Sequence, residues 1–162
     1  MVSFSMHSPF TAFSYLYSPK AATDHSHHHA RTAWINLNAF TATLVNTIQS
    51  RSIAFPPDND FSLYAIWTIR MALEDNDGQQ KADKTSLEAA AAWFAYAAPT
   101  IWKLSSEGKE FPGKIAKQGQ AMQGKEWRGF TKERWDHWEE KLKAHSDDGL
   151  VAKANRAIGE AK

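Results

Sequence analysis

The chain has 162 residues, of which 43% are hydrophobic and 23% are charged, and its formal net charge is +1. These values fit one soluble globular domain with its own core. So small a charge does not attract nucleic acid over a distance, and no stretch approaches the roughly 18 apolar residues needed to span a bilayer. There is no cysteine, which excludes disulfides and thiolate chemistry. We therefore predict a cytoplasmic protein with no nucleic-acid or membrane partner.

Residues 1–29 differ in composition from the rest of the chain. They contain serines, prolines and aromatic residues but no basic start followed by an apolar block, as a secretory signal would have. We predict a flexible, poorly ordered arm over residues 1–29 and a helical domain over residues 30–162. The aromatic rings of the arm would gain free energy in any groove of the domain, so the sequence leaves its order open.

The arm ends in DHSHHH, residues 24–29. Neutral imidazoles at His25, His27, His28 and His29 could chelate a divalent ion. Specific metal sites draw their ligands from separate rigid elements, so we predict a solvated linker, no metal site and no cofactor. Weak zinc binding is the alternative.

Helical periodicity begins at Ala30. From there to Ser50, apolar residues recur at steps of three and four, which is typical of an amphipathic helix. We expect one stripe to face the core; its members are Trp34, Leu37, Thr41, Leu44, Val45 and Ile48. The prolines of FPPDND end this segment, and Asp60 is placed to cap the next helix.

Two helices follow. Residues 61–75 carry apolar side chains on most sides, which predicts the central helix of the domain. Thr85 and Glu88 have the spacing of a capping box at the start of SLEAAAAWFAYAA, a helix that Pro99 ends or kinks.

The last third begins with an irregular connection. Residues 105–130 hold five glycines and one proline, for which we predict one short helix near Ile115. Thr131 is a suitable N-cap for a helix through His145 that carries Trp135 and Trp138 on one face. A final helical stripe ends the chain, and no segment alternates with period two. The predicted fold is a single compact all-α domain of five or six helices.

Several blocks carry a family resemblance. INLNAFTATL, FSLYAIWTIRMALED, AAAAWFAYAAPTIW and GKEWRGFTKERWDHWEEKL occur in this order. Together they resemble a filamentous-fungal family of helical proteins of unknown function, over about residues 30–160 and without the N-terminal arm. The resemblance implies a fold and leaves the function open.

Known catalytic motifs are missing. Residues 119–126, GQAMQGKE, approach a phosphate-binding loop, but Glu126 replaces the hydroxyl that would hold magnesium, and no strand precedes the loop. There is no G-x-S-x-G, H-E-x-x-H or C-x-x-C. His137 and His145 could act as bases beside neighbouring acids, although solvated positions on an ordinary helix explain them as well. The sequence therefore leaves enzymatic activity, and any catalytic residue, undecided.

Charged and aromatic residues supply the candidate ligand-binding site. A buried guanidinium needs a partner, so we expect Arg70 to pair with Glu74 or another acid, and Arg134 to pair similarly. Alternatively, either arginine anchors a carboxylate or phenolate in an apolar pocket. The seven tryptophans fill the core or line such a pocket. The candidate residues are Arg70, Glu74, Trp93, Tyr96, Trp102, Trp127, Arg134, Trp135 and Trp138.

Charge is unevenly distributed along the chain. Residues 58–88 contain seven acidic and three basic residues, whereas residues 109–134 contain seven basic and three acidic ones. The two segments could pair within one molecule or between copies, forming a homo-oligomer. We rank an interaction or regulatory module first. A binding protein for an apolar or aromatic metabolite comes second, and an enzyme such as a cyclase or isomerase third.

Overall fold

A computed structural model describes residues 24–53, 60–75, 83–145 and 149–162. In these ranges it contains five α-helices and one 3-10 turn: α1 (Asp24–Ser50), α2 (Ser62–Leu73), α3 (Lys84–Glu107), the turn (Gln120–Met122), α4 (Lys132–Lys143) and α5 (Gly149–Glu160). Within the same ranges no β-strand forms, although Glu110 and Gly129 make an isolated bridge. The predicted all-α single domain is confirmed. Residues 1–23 of the predicted arm and the prolines of FPPDND lie outside the described residues.

The central helix is α3, which packs against α1, α2, α4 and α5. The prediction that residues 61–75 form the central helix was wrong. Ala89, Ala90, Ala91 and Ala92 of α3 are fully buried, because a helix with methyl side chains allows neighbours to approach closely on several sides. One flank of α2 is less buried, and Met71 on it is exposed.

The ends and the kink of α3 have local causes. Asp83, rather than Thr85, is the N-cap residue, and its carboxylate accepts hydrogen bonds from the amides of Thr85 and Ser86. The predicted capping box is therefore wrong, and Glu88 instead forms an ion pair with Arg31 at 3.3 Å. Pro99 lies inside the helix, which kinks at Ala97 (φ −141°, ψ 18°) and continues to Glu107. A proline removes one helical hydrogen bond, so it kinks the helix without ending it.

Helix α1 begins at Asp24, earlier than the helix predicted from Ala30, and packs against α3. The side chain of Asn38 is buried at this contact; its Oδ1 accepts hydrogen bonds from Thr68 Oγ1 (2.9 Å) and Trp93 Nε1 (2.8 Å). Ala42 and Val45 are buried beside it. The predicted core stripe is therefore partly wrong, because Leu37 is exposed. The helix packs through a neighbouring face that includes a polar residue.

The side chains predicted to cap the N-terminal ends of α2 and α4 do so in the structure. Asp60 Oδ1 accepts a hydrogen bond from the Ser62 amide at 3.0 Å, and Thr131 Oγ1 accepts one from the Arg134 amide at 3.1 Å. In α4, Trp135, Trp138 and Leu142 are buried as predicted. The short helix predicted near Ile115 does not form; the connection makes turns there and the 3-10 turn follows.

In the described part of the chain, no helix combines the length and apolar character required to cross a membrane.

Candidate functional site

A buried ion pair joins α2 to α4. Arg134 Nε lies 2.7 Å from Glu74 Oε1, and Arg134 Nη2 lies 3.0 Å from Glu74 Oε2. Both side chains are completely buried. Taking these charges out of water is unfavourable, and the bidentate contact offsets that penalty through two charge-assisted hydrogen bonds.

The carboxylate of Glu74 has further donors. Trp138 Nε1 donates to Oε1 at 2.6 Å, and the Gly119 amide donates to Oε2 at 2.8 Å. A Cβ atom at Gly119 would lie 2.5 Å from the Cβ of Glu74, so only glycine fits this approach. The loop that approaches a phosphate-binding motif in sequence therefore uses its first amide to hold a carboxylate.

Arg134 also uses its remaining donors inside the protein. Nη1 donates to the carbonyl oxygens of Ala116 and Gly129, each at 2.8 Å, and Nη2 donates to that of Lys117 at 3.2 Å. Together with the two bonds to Glu74, these contacts engage all the N–H groups of a guanidinium. The Arg134 Cζ atom also lies 5.3 Å from the ring centroid of Trp138. The side chain thus ties α4 to α2 and to the glycine-rich connection.

Arg70 lies near this pair without joining it. Its Nε is 3.8 Å from Asp75 Oδ2, and its Nη1 donates to the Lys117 carbonyl at 3.3 Å. Glu74 is one helical turn from Arg70 along the sequence, but its carboxylate binds Arg134 instead. An acid partner for Arg70 was expected, and in the structure that acid is Asp75.

Aromatic rings extend from the ion pair through the core. Trp135 contacts Phe94 and Trp102, with ring centroids 5.6 Å and 5.3 Å away. Phe94 contacts Trp138 at 6.1 Å, and Trp138 contacts Phe130 at 6.2 Å. Such separations are those of favourable edge-to-face and tilted aromatic pairs. Trp102 is half-buried and the other four rings are buried.

One polar atom of this aromatic core is unsatisfied. Trp135 is fully buried, and its Nε1 has no hydrogen-bond partner among the residues that the structure describes. A buried N–H without an acceptor is unfavourable by about 1–3 kcal/mol.

The remaining candidate residues lie in different places. Trp127 adjoins the ion pair, since its ring centroid is 5.5 Å from Arg134 Cζ, and its Nε1 donates to Glu133 at 3.0 Å. Trp93 is buried on the side of α3 that meets Asn38. Tyr96 is 38% exposed, with Lys153 Nζ 3.8 Å from its ring centroid.

Oppositely charged segments pair within the molecule. Lys109 binds Asp60, and Arg134 binds Glu74, so residues 109–134 contact residues 58–88 through two ion pairs. Partial burial alone would raise the pKa of Asp60, but hydrogen bonds from Lys109 and Ser62 outweigh it and lower that pKa below its ordinary value. The charge asymmetry of the sequence is therefore used, at least in part, internally.

The histidines give no metal cluster in the described part of the chain, where no group of three or more potential ligands comes together. His28 and His29 are exposed on α1, whereas the side chains of His25 and His27 lie outside the described residues. His137 Nε2 lies 3.3 Å from the Leu73 carbonyl oxygen at the end of α2.

An apolar surface of α1, four of whose six residues were predicted to face the core, is exposed or half-buried. We call it the outer seam; it consists of Ala33, Leu37, Phe40, Thr41, Leu44 and Ile48. Phe40 is 66% exposed and Leu37 is 42% exposed, and the other members are exposed or half-buried. Side chains spaced by three and four residues share one side of a helix. The missed signal was that α1 has apolar residues on more of its circumference than one contact with α3 requires.

Comparison with known proteins gave a match to a protein family. The model of the family described as "Protein of unknown function (DUF3632)" matches residues 5–142. The match begins earlier than the resemblance we expected over residues 30–160, and it ends before α5. The arm was therefore wrongly placed outside the family. Neither the curated proteins nor the solved structures gave a match.

Proposed function

The chain belongs to the family described as "Protein of unknown function (DUF3632)", and since that membership assigns no activity, we propose from the site itself that this protein is a self-associating interaction module. Its contact surface is the outer seam of α1. The observation that carries the proposal is the exposure of Phe40 and Leu37, 66% and 42%, on one side of the longest helix.

Moving an exposed apolar side chain out of water lowers the free energy. Single exposed hydrophobic residues are ordinary on a protein surface, but a contiguous apolar patch marks a contact site. Leu37, Phe40 and Leu44 are neighbours on one helix side, and Phe40 is large enough to anchor a contact. A second helix packed on them would bury all three.

The buried candidate residues support the same proposal. Arg134 has its donors engaged by Glu74 and by three backbone carbonyls. An incoming carboxylate would have to displace those contacts, which favours a packing role for the pair. The recognition surface is then on the outside of the bundle, where α1 has apolar side chains to offer.

The absence of charged residues from the part of α1 that carries the outer seam favours a second copy as the partner. From Thr32 to Ser50 there is no aspartate, glutamate, lysine or arginine. Like charges facing each other across an interface are unfavourable, and two copies of this surface would bring none together. A strongly charged partner would find no complementary group there.

A charge placed on the outer seam tests the proposal. Phe40→Glu would bury a carboxylate at the contact, so we expect the dimer dissociation constant to rise by about 30-fold or more, as for a central anchor worth about 2 kcal/mol. Analytical ultracentrifugation over a range of protein concentrations measures this constant. Because a contact of one helix per copy is small, the wild-type dimer should be weak and concentration-dependent.

The matched control is Ile115→Glu. Ile115 is 45% exposed on the connection between α3 and α4, so the same change is made on another surface and should leave the constant unchanged. Circular dichroism checks that both variants fold. Added salt should not weaken the dimer, because screening acts on charges that this surface lacks. A salt-sensitive dimer, or equal effects of the two variants, would exclude the outer seam.

A second candidate function is the binding of a flat apolar or aromatic metabolite beside Trp135. The observation favouring it is the buried Nε1 without an acceptor in the described part of the chain, next to the half-buried Trp102. Native mass spectrometry of gently purified protein tests it. A co-purifying metabolite that is lost in Trp135→Phe supports binding there, and unliganded wild-type protein argues against it.

A further inference from the structure

The geometry points to an antiparallel, twofold-symmetric pairing of α1 with α1 of a second copy, with the symmetry axis between Phe40 and Thr41. This inference rests on the proposed function, because it specifies how the two outer seams meet. It is carried by the spacing of the outer seam and by the charges at the two ends of α1.

The outer seam reads the same in both directions. From Ala33 to Ile48 its members are separated by four, three, one, three and four residues, and the order reverses onto itself. When two identical helices pack antiparallel around a twofold axis, each residue before the axis meets one equally far beyond it. The spacing of the outer seam therefore lets both copies present matching positions in such a pair.

The side chains at matching positions are complementary. With the axis between Phe40 and Thr41, Leu37 lies opposite Leu44 of the second copy, and Ala33 lies opposite its Ile48. A small residue thus meets a large one in the outer layer, and two leucines meet in the inner layer. At the axis, Phe40 lies at the height of Thr41 of the second copy and only about 1.5 Å along the helix direction from Phe40 of that copy, which allows an aromatic pair. No layer contains a charged residue, and the hydroxyl of Thr41 donates to the Leu37 carbonyl of its own helix at 2.8 Å.

Charge at the ends of α1 favours the antiparallel direction. Arg51, exposed just after the helix, would lie beside Arg51 of the second copy in a parallel pair, whereas an antiparallel pair places the two at opposite ends. Arg31 is held toward the body by Glu88 at 3.3 Å. Antiparallel helices also set the positive end of each macrodipole beside the negative end of the other.

Cysteine cross-linking tests the arrangement, because the natural chain contains no cysteine and each introduced thiol is unique. Three single variants, Thr41→Cys, Leu37→Cys and Leu44→Cys, are oxidised at a concentration where sedimentation shows the dimer, and disulfides are read by non-reducing electrophoresis. A fourth variant, Thr43→Cys, is exposed on the same helix outside the outer seam and measures collisional background.

The antiparallel pair makes a distinctive pattern. Thr41→Cys should cross-link to itself above the Thr43→Cys background. Leu37→Cys and Leu44→Cys should each form no disulfide alone. In the antiparallel pair each position is offset from the same position of the second copy by seven residues, or about 10 Å along the helix. This offset exceeds the roughly 7 Å limit between disulfide-linked Cα atoms. An equimolar mixture of these two variants should cross-link.

Other patterns overturn the inference in distinguishable ways. Self-linking of both Leu37→Cys and Leu44→Cys as strong as that of Thr41→Cys means a parallel pair, which leaves the proposed function standing. Only background linking at every site in a sedimenting dimer means an interface elsewhere. A wild-type chain that sediments as a monomer at all concentrations removes the proposed function, and the pairing with it.

Discussion

The contacts of individual side chains decide how α2, α4 and the glycine-rich connection are held together. The Glu74 carboxylate accepts hydrogen bonds from Arg134, from Trp138 Nε1 and from the Gly119 amide. One carboxylate therefore joins α2, α4 and the connection. That a buried arginine would have an acid partner follows from desolvation energy alone. Which acid it would be depends on tertiary packing, since Glu74 could equally have reached Arg70 within its own helix.

Removing one member of the pair should be strongly destabilising. We expect Arg134→Met or Glu74→Leu to lower the free energy of unfolding by about 3–5 kcal/mol, because each leaves a buried group without its charged partner. The double variant should lose less than the sum of the two, by at least about 1 kcal/mol. Urea denaturation of all four proteins gives these values.

An exposed ion pair supplies the comparison for that experiment. Lys143 contacts Glu139 at 2.7 Å on the surface of α4, and Lys143→Met should change stability by less than about 0.5 kcal/mol. If Arg134→Met were as mild as Lys143→Met, the buried pair would not be the tie between α2 and α4.

At the scale of secondary-structure elements, the local signals at helix ends were the most predictable. Asp60 and Thr131 cap their helices because their oxygens accept amides only a few residues away, which sequence spacing alone determines. The capping box at Thr85 was wrong because Asp83, two residues earlier, accepts the amides of Thr85 and Ser86, so the helix already begins at Lys84 and Thr85 lies inside its first turn. Helix faces were harder to predict, since α1 has apolar residues on more than one side.

The C-terminal end of α3 offers a test of backbone conformation. Gly108 has φ +66°, and a methyl group added there would meet open space, so Gly108→Ala should lower the free energy of unfolding by about 1–2 kcal/mol through left-handed strain alone. Gly159→Ala is the matched control, because Gly159 lies inside α5 with equally open space and no positive φ. It should stabilise the protein by up to about 1 kcal/mol. A loss at both positions would point to steric contact instead.

Across the whole molecule, ion pairs between distant segments make stability depend on pH. Asp60, at the start of α2, binds Lys109, which lies beyond the end of α3. Burial alone would raise the pKa of this carboxyl group, but hydrogen bonds from Lys109 and Ser62 outweigh burial and lower the pKa in the folded protein. The unfolded chain therefore binds more protons at this residue in mild acid, and acid favours unfolding.

Asp60→Asn should show this dependence. At neutral pH the variant should be less stable than the wild type. The full difference in stability is present above the ordinary aspartate pKa of about 3.9. It should shrink as the pH falls through the lower pKa that Asp60 has in the folded protein. Urea denaturation at pH 7 and below pH 4 measures it. Glu126→Gln, an exposed acid on the connection, should follow the wild type; an undiminished Asp60→Asn difference in acid would refute the linkage.

The amino-acid sequence by itself determined the helical class, the caps at Asp60 and Thr131 and the buried face of α4, because these depend on residues within a few positions of each other. Only the tertiary structure decided that α3 is central, that Glu74 binds Arg134, and which face of α1 packs on α3. Those outcomes depend on competition between distant surfaces for the same apolar or charged groups. The exposed outer seam is the surface of α1 that the described residues of this chain leave uncovered.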